Sequence, residues 1–276
     1  YKNFGMPELP EVETIKKQLD GLTAGKKILS ADFFGPARMI NLPKSKFLKI
    51  LIGAKIIGVN RRAKLLILEL SNGYVLLTHL KMTGKYLWNI EKDKHTHLVL
   101  KLSGKNQLNF KDVRKFGYLK LIKKEEMPKL LENVYGPEPL DKNFTLKKFD
   151  ELLQTKPKSK IKQILLDQKF IAGIGNIYAG EACFYANILP DRKNSTLKKE
   201  EIKKLYEGLR KILQTSIKCG GTTADDYLDC YGKKGSYVDK LKVYGRKGLP
   251  CLKCRTILQE SRLGGRGTVF CSKCQK

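Results

Sequence analysis

Leu65-Leu66-Ile67-Leu68-Glu69-Leu70, Ser71-Asn72-Gly73 and Tyr74-Val75-Leu76-Leu77 form two apolar runs joined through Asn-Gly. Asn and Gly tolerate the positive φ of a tight reversal, so the stretch predicts a β-hairpin. The pattern recurs downstream. His97-Leu98-Val99-Leu100-Lys101-Leu102 alternates, turns through Ser103-Gly104-Lys105-Asn106 and resumes from Gln107 to Phe110. Residues 118–122 make a further short strand. Strands at this spacing predict an antiparallel β-sandwich or barrel in the first half of the chain.

On the N-terminal side stands Pro7-Glu8-Leu9-Pro10-Glu11-Val12-Glu13-Thr14. Val12, Ile15, Leu19 and Leu22 recur at helical spacing, which predicts a short amphipathic helix from about Pro10, where proline suits the first turn. Glu8, Glu11 and Glu13 crowd the positive end of that helix. By itself this is what a well-capped surface helix looks like.

On the C-terminal side, Tyr135-Gly136-Pro137-Glu138-Pro139-Leu140 interrupts regular structure, and beyond it the period changes to about 3.6. Phe149, Leu152 and Leu153 mark one helix, Ile161, Ile164 and Leu165 a second, and residues 197–217 a longer third. The expected organisation is a β-sandwich domain at 6–135, a linker at 136–145, a helical domain at 146–248 and a four-cysteine tail at 249–276.

That tail carries Cys251-Leu252-Lys253-Cys254 and Cys271-Ser272-Lys273-Cys274, with residues 255–270 between them. Two CxxC knuckles so spaced place four thiolates around one structural zinc ion, with a hairpin turning near Gly264-Gly265. Cys183, Cys219 and Cys230 lack metal spacing and read as packed thiols. An odd count of seven cysteines, four in a metal pattern, argues for a reducing compartment rather than a disulfide framework.

The 276 residues hold 55 Lys+Arg against 27 Asp+Glu, a net charge of +28. That excess attracts polyanions and favours a nucleic-acid partner. No apolar run approaches the roughly 20 residues of a membrane span, and the start of the chain lacks the apolar core of a secretory signal.

Taken together, these motifs resemble the formamidopyrimidine-DNA glycosylases from Met6 to the C-terminus. The opening, Arg61-Arg62-Ala63-Lys64, His79-Leu80-Lys81-Met82-Thr83-Gly84, Asp112-Val113-Arg114-Lys115-Phe116-Gly117 and Ala172-Gly173-Ile174-Gly175-Asn176-Ile177-Tyr178-Ala179-Gly180-Glu181 all carry the likeness. Val113 and Lys115 depart from it, standing where proline and arginine are common.

The resemblance implies an α+β multidomain fold. Its parts are an N-terminal antiparallel β-sandwich with a short helix, a helical helix–two-turns–helix domain and a β-hairpin zinc ribbon. It implies a bifunctional glycosylase and abasic-site lyase acting on oxidised purines in double-stranded DNA. Pro7 supplies the nucleophilic amine once freed of residues 1–6, because a proline nitrogen inside a peptide bond is an amide. Glu8 is the implied proton donor, Glu11 orders the N-terminus, and Lys64 completes the catalytic set on a phosphate of the damaged strand. Met82, Arg114 and Phe116 are the implied wedge that replaces an everted base. His97, Asn176 and Arg266 are implied DNA contacts, and residues 232–237 resemble a lesion-recognition loop. Read without the resemblance, Met82 and Phe116 look like core residues.

The expected protein is a monomer in the cytoplasm, associated with the nucleoid through DNA. Two alternatives remain open: an endonuclease VIII-like enzyme for oxidised pyrimidines, and a non-catalytic lesion-binding protein if residues 1–6 stay attached. A general zinc-ribbon DNA-binding module explains the charge and cysteines but not the acidic, proline-rich opening.

Overall fold

A computed structural model describes residues 6–224 and 226–276. It divides into two compact units, Met6–Glu132 with Gly220–Gly235, and Asn133–Cys219 with Ser236–Lys276.

The first unit opens with helix α1 (Leu9–Thr23), with Pro10 in its first turn as expected. Strand β1 (Ile28–Phe33) and helix α2 (Lys44–Leu51) follow. Then come β2 (Ile56–Arg62), β3 (Leu65–Leu70), β4 (Tyr74–His79), β5 (Gly84–Trp88), β6 (Thr96–Leu102), β7 (Asn106–Asp112) and β8 (Tyr118–Lys123). They form two antiparallel four-stranded sheets, ordered β1-β6-β7-β5 and β2-β3-β4-β8. The Asn72-Gly73 reversal joins β3 to β4, with Leu68 opposite Leu76.

Alternation places Leu66, Leu68 and Leu76 of one sheet and Leu98, Leu100, Leu108 and Phe110 of the other in a single core. Val12, Ile15 and Leu19, on one face of α1, are fully buried in it. Each such side chain contributes roughly 1.5–3 kcal/mol, which fixes α1, and so the Pro7–Glu8 segment, on the sandwich. Short helix α3 (Met127–Leu131) closes this stretch.

The second unit holds α4 (Leu146–Gln154), α5 (Ile161–Leu166), α6 (Asn176–Ala186) and α7 (Lys199–Lys218). Phe144, Phe149, Leu165, Tyr178, Leu205, Leu209 and Leu213 form its core. Strands β9 (Gln259–Leu263) and β10 (Arg266–Phe270) make the terminal hairpin. Phe184 of α6 and Val243 pack with Leu258, Cys251 and Cys271, and the Gln275 side chain donates to the Ile188 carbonyl at 2.8 Å. The ribbon and the helices are therefore one compact unit.

One stretch departs from the expected division. Residues 220–235 fall in sequence within the expected helical domain, yet they pack with the sandwich, where Tyr227 and Cys230 enter its core. Glycines at both necks of the loop suit a chain that leaves one unit and returns, which linear apolar periodicity does not register. Among the described residues no helix is long and apolar enough to cross a membrane.

Candidate active site and nucleic-acid interface

Pro7 and Glu8 are buried at the mouth of α1, with Glu8 only 3% exposed. The Glu8 backbone N–H donates to Glu11 Oε2 at 2.8 Å, and the Thr222 N–H donates to Glu11 Oε1 at 2.7 Å. One buried carboxylate thus satisfies an N–H of the N-terminal segment and one of the 220–235 loop. Such charge-assisted bonds are worth about 1.5–3 kcal/mol each. The residues preceding Met6 lie outside the described residues.

Lys64 is positioned from the same helix. Glu13 of α1 pairs with Arg61 Nε at 2.8 Å, and Arg61 Nη1 donates to the Ala63 carbonyl at 2.8 Å. Ala63 holds φ +53° in the β2–β3 turn that presents Lys64, which is 5% exposed. His79 faces Leu65 across the β3–β4 ladder, and its Nδ1 accepts the Lys81 N–H at 3.0 Å. Burial, then the charges of Lys81 and Lys64, push its pKa down to about 3, so the imidazole is neutral. Carboxylates beside a buried proline at one helix mouth can move protons, and a lysine such as Lys64 can bind a phosphate. With a free proline amine they can also perform nucleophilic chemistry on a sugar carbon.

The loops at 80–83 and 113–117 are tied together. Asp112 is fully buried, and its Oδ1 accepts the Thr83 hydroxyl and, at 3.2 Å, the Arg114 N–H. Its Oδ2 accepts the Gly117 N–H at 2.7 Å, an approach so close that a Cβ on Gly117 would sit 3.0 Å from that oxygen. The loop bearing Met82 and the loop bearing Arg114 and Phe116 therefore move as one. Met82 is half-buried, whereas Phe116 is 53% exposed with the Arg114 guanidinium 4.9 Å from its ring centre. The reading of Phe116 as a core residue is thereby corrected, because the loop leaves the sheet before its side chain can be covered.

His97 is 3% exposed, and its Nε2 lies 2.8 Å from the Asp112 carbonyl, steadying the base of the same loop. It also lines a cleft of about 740 Å³ with Lys92, Lys94 and Lys115.

In the other unit, Gln168 clamps the glycine-rich turn before α6, accepting the Gly173 N–H at 2.9 Å and donating to the Ile174 carbonyl at 2.7 Å. α6 then starts at Asn176, whose Nδ2 donates to the Gly267 carbonyl at 3.1 Å. Gly267 follows Arg266, so the helix start and the ribbon hairpin present one surface. Arg266 is exposed beside the Gly264-Gly265 turn, where both residues hold positive φ.

The sulfurs of Cys251, Cys254, Cys271 and Cys274 all lie within 4.8 Å of one another, with Cys254–Cys271 at 3.5 Å and Cys251–Cys274 at 3.9 Å. Zn–S bonds of about 2.3 Å in a tetrahedron need sulfurs roughly 3.8 Å apart, so the cluster fits one zinc ion.

The chain matches the Formamidopyrimidine-DNA glycosylase N-terminal domain over residues 6–119 and the Formamidopyrimidine-DNA glycosylase H2TH domain over 135–227. It matches the zinc finger found in FPG and IleRS over 248–276. It belongs to the formamidopyrimidine-DNA glycosylase family. The formamidopyrimidine-DNA glycosylase of Listeria innocua is 41% identical across 98% of this chain and 100% of its own length. The wild-type Lactococcus lactis enzyme, solved with DNA containing N7-benzyl-Fapy-dG, superposes with a TM-score of 0.90 at 38% identity, covering 98% of this chain and 100% of that one. A related enzyme solved with carbocyclic 8-oxo-G DNA gives 0.89 at 39%, with the same coverages. This glycosylase is thus a DNA repair enzyme with a structural zinc finger.

Several positioning residues of the glycosylase carry no sequence signal. Asp112 and Thr83 sit inside quoted motifs, but only the fold shows that they join two loops. Gln168 lies outside every motif. Glu181, 3% exposed, accepts the backbone N–H groups of Lys242, Val243 and Tyr244, each at 2.9 Å, and so holds the approach to the ribbon on α6. Burial pushes its pKa up against those bonds.

Proposed function

We propose that this glycosylase excises 8-oxoguanine and formamidopyrimidines from double-stranded DNA through Pro7 and then nicks the abasic strand. The observation that carries the assignment of residues is the Glu11 carboxylate, which orders the Pro7–Glu8 segment and the 220–235 loop at once. The freed Pro7 amine attacks C1′ of the everted nucleotide, the bond from C1′ to the damaged base breaks, and the proton shed by the proline nitrogen goes to the departing base. Glu8 delivers a proton to the sugar ring oxygen as the ring opens to an iminium. Loss of a C2′ proton then expels the 3′ phosphate by β-elimination, and δ-elimination releases the 5′ phosphate.

Lys64, Asn176 and Arg266 bind phosphates, and Met82, Arg114 and Phe116 occupy the space the base leaves. An exposed aromatic under a guanidinium suits that task, since extrusion costs a few kcal/mol of stacking and pairing that a wedge offsets. Zinc holds the ribbon. The enzyme works as a monomer, in the cytoplasm on the nucleoid, with a sandwich part at 6–132 and 220–235 and a helical part that carries the ribbon at 133–219 and 236–276.

Borohydride trapping on a duplex with one 8-oxoguanine opposite cytosine tests this, using the full chain and a form beginning at Pro7, with mass spectrometry of both N-termini. A covalent adduct only with free Pro7 is the expected result. Tight lesion binding without an adduct from either form establishes a non-catalytic binder. An adduct with an intact Tyr1 moves the nucleophile to a lysine. Faster excision of an oxidised pyrimidine overturns the purine assignment.

A further inference from the structure

Leu249, Leu252 and Ile257 lie within one nine-residue hairpin of the ribbon, and each is about half exposed. The hairpin is closed by the Pro250–Ile257 bridge, by the Cys251 N–H on the Thr256 carbonyl at 2.8 Å and by the Arg255 N–H on the Cys251 carbonyl at 3.0 Å. So tight a turn keeps the three side chains within reach of a single ligand. Cys251 and Leu258 take the inward side and pack with Phe184 of α6, so the ribbon fills its own core without them. A lone apolar side chain on a surface is ordinary, but three on one small hairpin form a patch.

The charges beside the patch have one sign. Apart from the cysteines, the charged side chains from Gly248 to Leu258 are Lys253 and Arg255, with no carboxylate. Lys253 is held in place: its Nζ donates to Asn187 Oδ1 at 3.1 Å and sits 5.0 Å from the centre of the Phe184 ring. An ammonium carries three donors and Asn187 takes one, so the cation is fixed with donors to spare. Arg255 holds φ +66° in the turn and is exposed.

Helix α6 separates this surface from the proposed DNA contacts. Its first residue, Asn176, meets the Gly267 carbonyl beside Arg266, and Asn187, just past its last turn, meets Lys253. Eleven residues at 1.5 Å each put about 16 Å between those ends. A DNA phosphate calls for cations and N–H groups and gains nothing from exposed leucine and isoleucine. A second copy of this chain, at net charge +28, is repelled. A segment whose carboxylates flank bulky apolar side chains matches both the apolar patch and its cations. We propose that the 249–257 knuckle docks an acidic, amphipathic peptide segment of another protein. Leu249, Leu252 and Ile257 take its apolar side chains, and Lys253 and Arg255 take its carboxylates. Docking leaves Asn176 and Arg266 open to DNA and is independent of the excision chemistry.

The probe is a fluorescein-labelled synthetic peptide in which Leu and Phe alternate with Asp and Glu. A second peptide keeps the acids and carries Ser at the apolar positions. Anisotropy is read on the full chain at about 0.15 M salt, where exposed charges are largely screened, for wild type, L252S/I257S and K253Q/R255Q. Wild type should bind the amphipathic peptide at least roughly tenfold more tightly than the Ser peptide, because burial of half-exposed aliphatic side chains adds to charge. Each double variant should lose roughly tenfold of that affinity. Melting temperature and zinc content of L252S/I257S should match wild type, since both side chains already meet water. Excess duplex DNA should leave the peptide bound. Equal binding of the two peptides overturns the proposal, as does unchanged affinity in L252S/I257S. Displacement by duplex assigns the patch to DNA, and wild-type self-association in sedimentation that L252S/I257S abolishes assigns it to a second copy. Either result overturns the proposal as well.

Discussion

The Thr83 hydroxyl donates to the buried Asp112 carboxylate, which joins the loop carrying Met82 to the loop carrying Arg114 and Phe116. The Arg114 N–H closes the same knot on Thr83 Oγ1 at 3.0 Å. Two hairpin loops far apart in sequence therefore act as one rigid unit.

Thr83→Val keeps the shape and removes the donor. It should cost about 1–3 kcal/mol through the lost hydrogen bond to a buried carboxylate, whose Oδ1 keeps only the Arg114 N–H, seen as a fall of several degrees in melting temperature. Affinity for a duplex carrying an abasic analogue, followed by fluorescence anisotropy, should fall with it. An unchanged affinity would show that the knot does not orient Met82, Arg114 and Phe116 for DNA.

Phe116→Ala removes a side chain the fold does not bury, so stability should change by no more than about 0.5 kcal/mol. Excision of 8-oxoguanine should nevertheless drop at least roughly tenfold, because base extrusion loses its compensation. A matched loss of stability in chemical denaturation would return Phe116 to a structural role.

Glu11→Gln leaves one acceptor where two backbone N–H groups need one each. The lost charge-assisted bond is worth about 1.5–3 kcal/mol. Both base excision and abasic trapping should decline, since the N-terminal segment loosens with the loop. A defect confined to base excision would separate Glu11 from the nucleophile.

His79 contributes to the acid limb of stability. Its folded pKa, about 3, lies below the ordinary value of 6.5, so between those limits the unfolded chain binds a proton that the folded chain refuses. Stability from this group is complete above about pH 6.5 and is lost progressively as pH falls toward 3. Thermal melts of His79→Gln across that window should show a shallower decline than wild type, and an identical slope would exclude His79 as the cause.

Zinc content should be one ion per chain by elemental analysis, abolished by Cys254→Ser. Removing the metal unfolds a four-cysteine ribbon, so proteolysis should open residues 248–276 first. DNA affinity should drop as the Gly267 carbonyl leaves Asn176. Retained DNA affinity after zinc loss would show that Arg266 is not needed for binding.

The local rules of the chain made much of this protein legible beforehand. Asn72-Gly73 and the alternation around it specify a hairpin whatever surrounds them, and the apolar face of α1 and its first-turn proline specify a helix. Paired CxxC knuckles specify a metal site, because four thiolates at that spacing have few other uses. Tertiary structure decided what those rules leave open. Only the fold leaves Phe116 exposed, spends one Glu11 carboxylate on Glu8 and Thr222, and lays residues 220–235 on the sandwich rather than on the helices that flank them in sequence. Backbone propensity and apolar period act over a few residues. A carboxylate meeting an N–H more than two hundred positions away depends on how whole sheets and helices pack, and no local pattern encodes that.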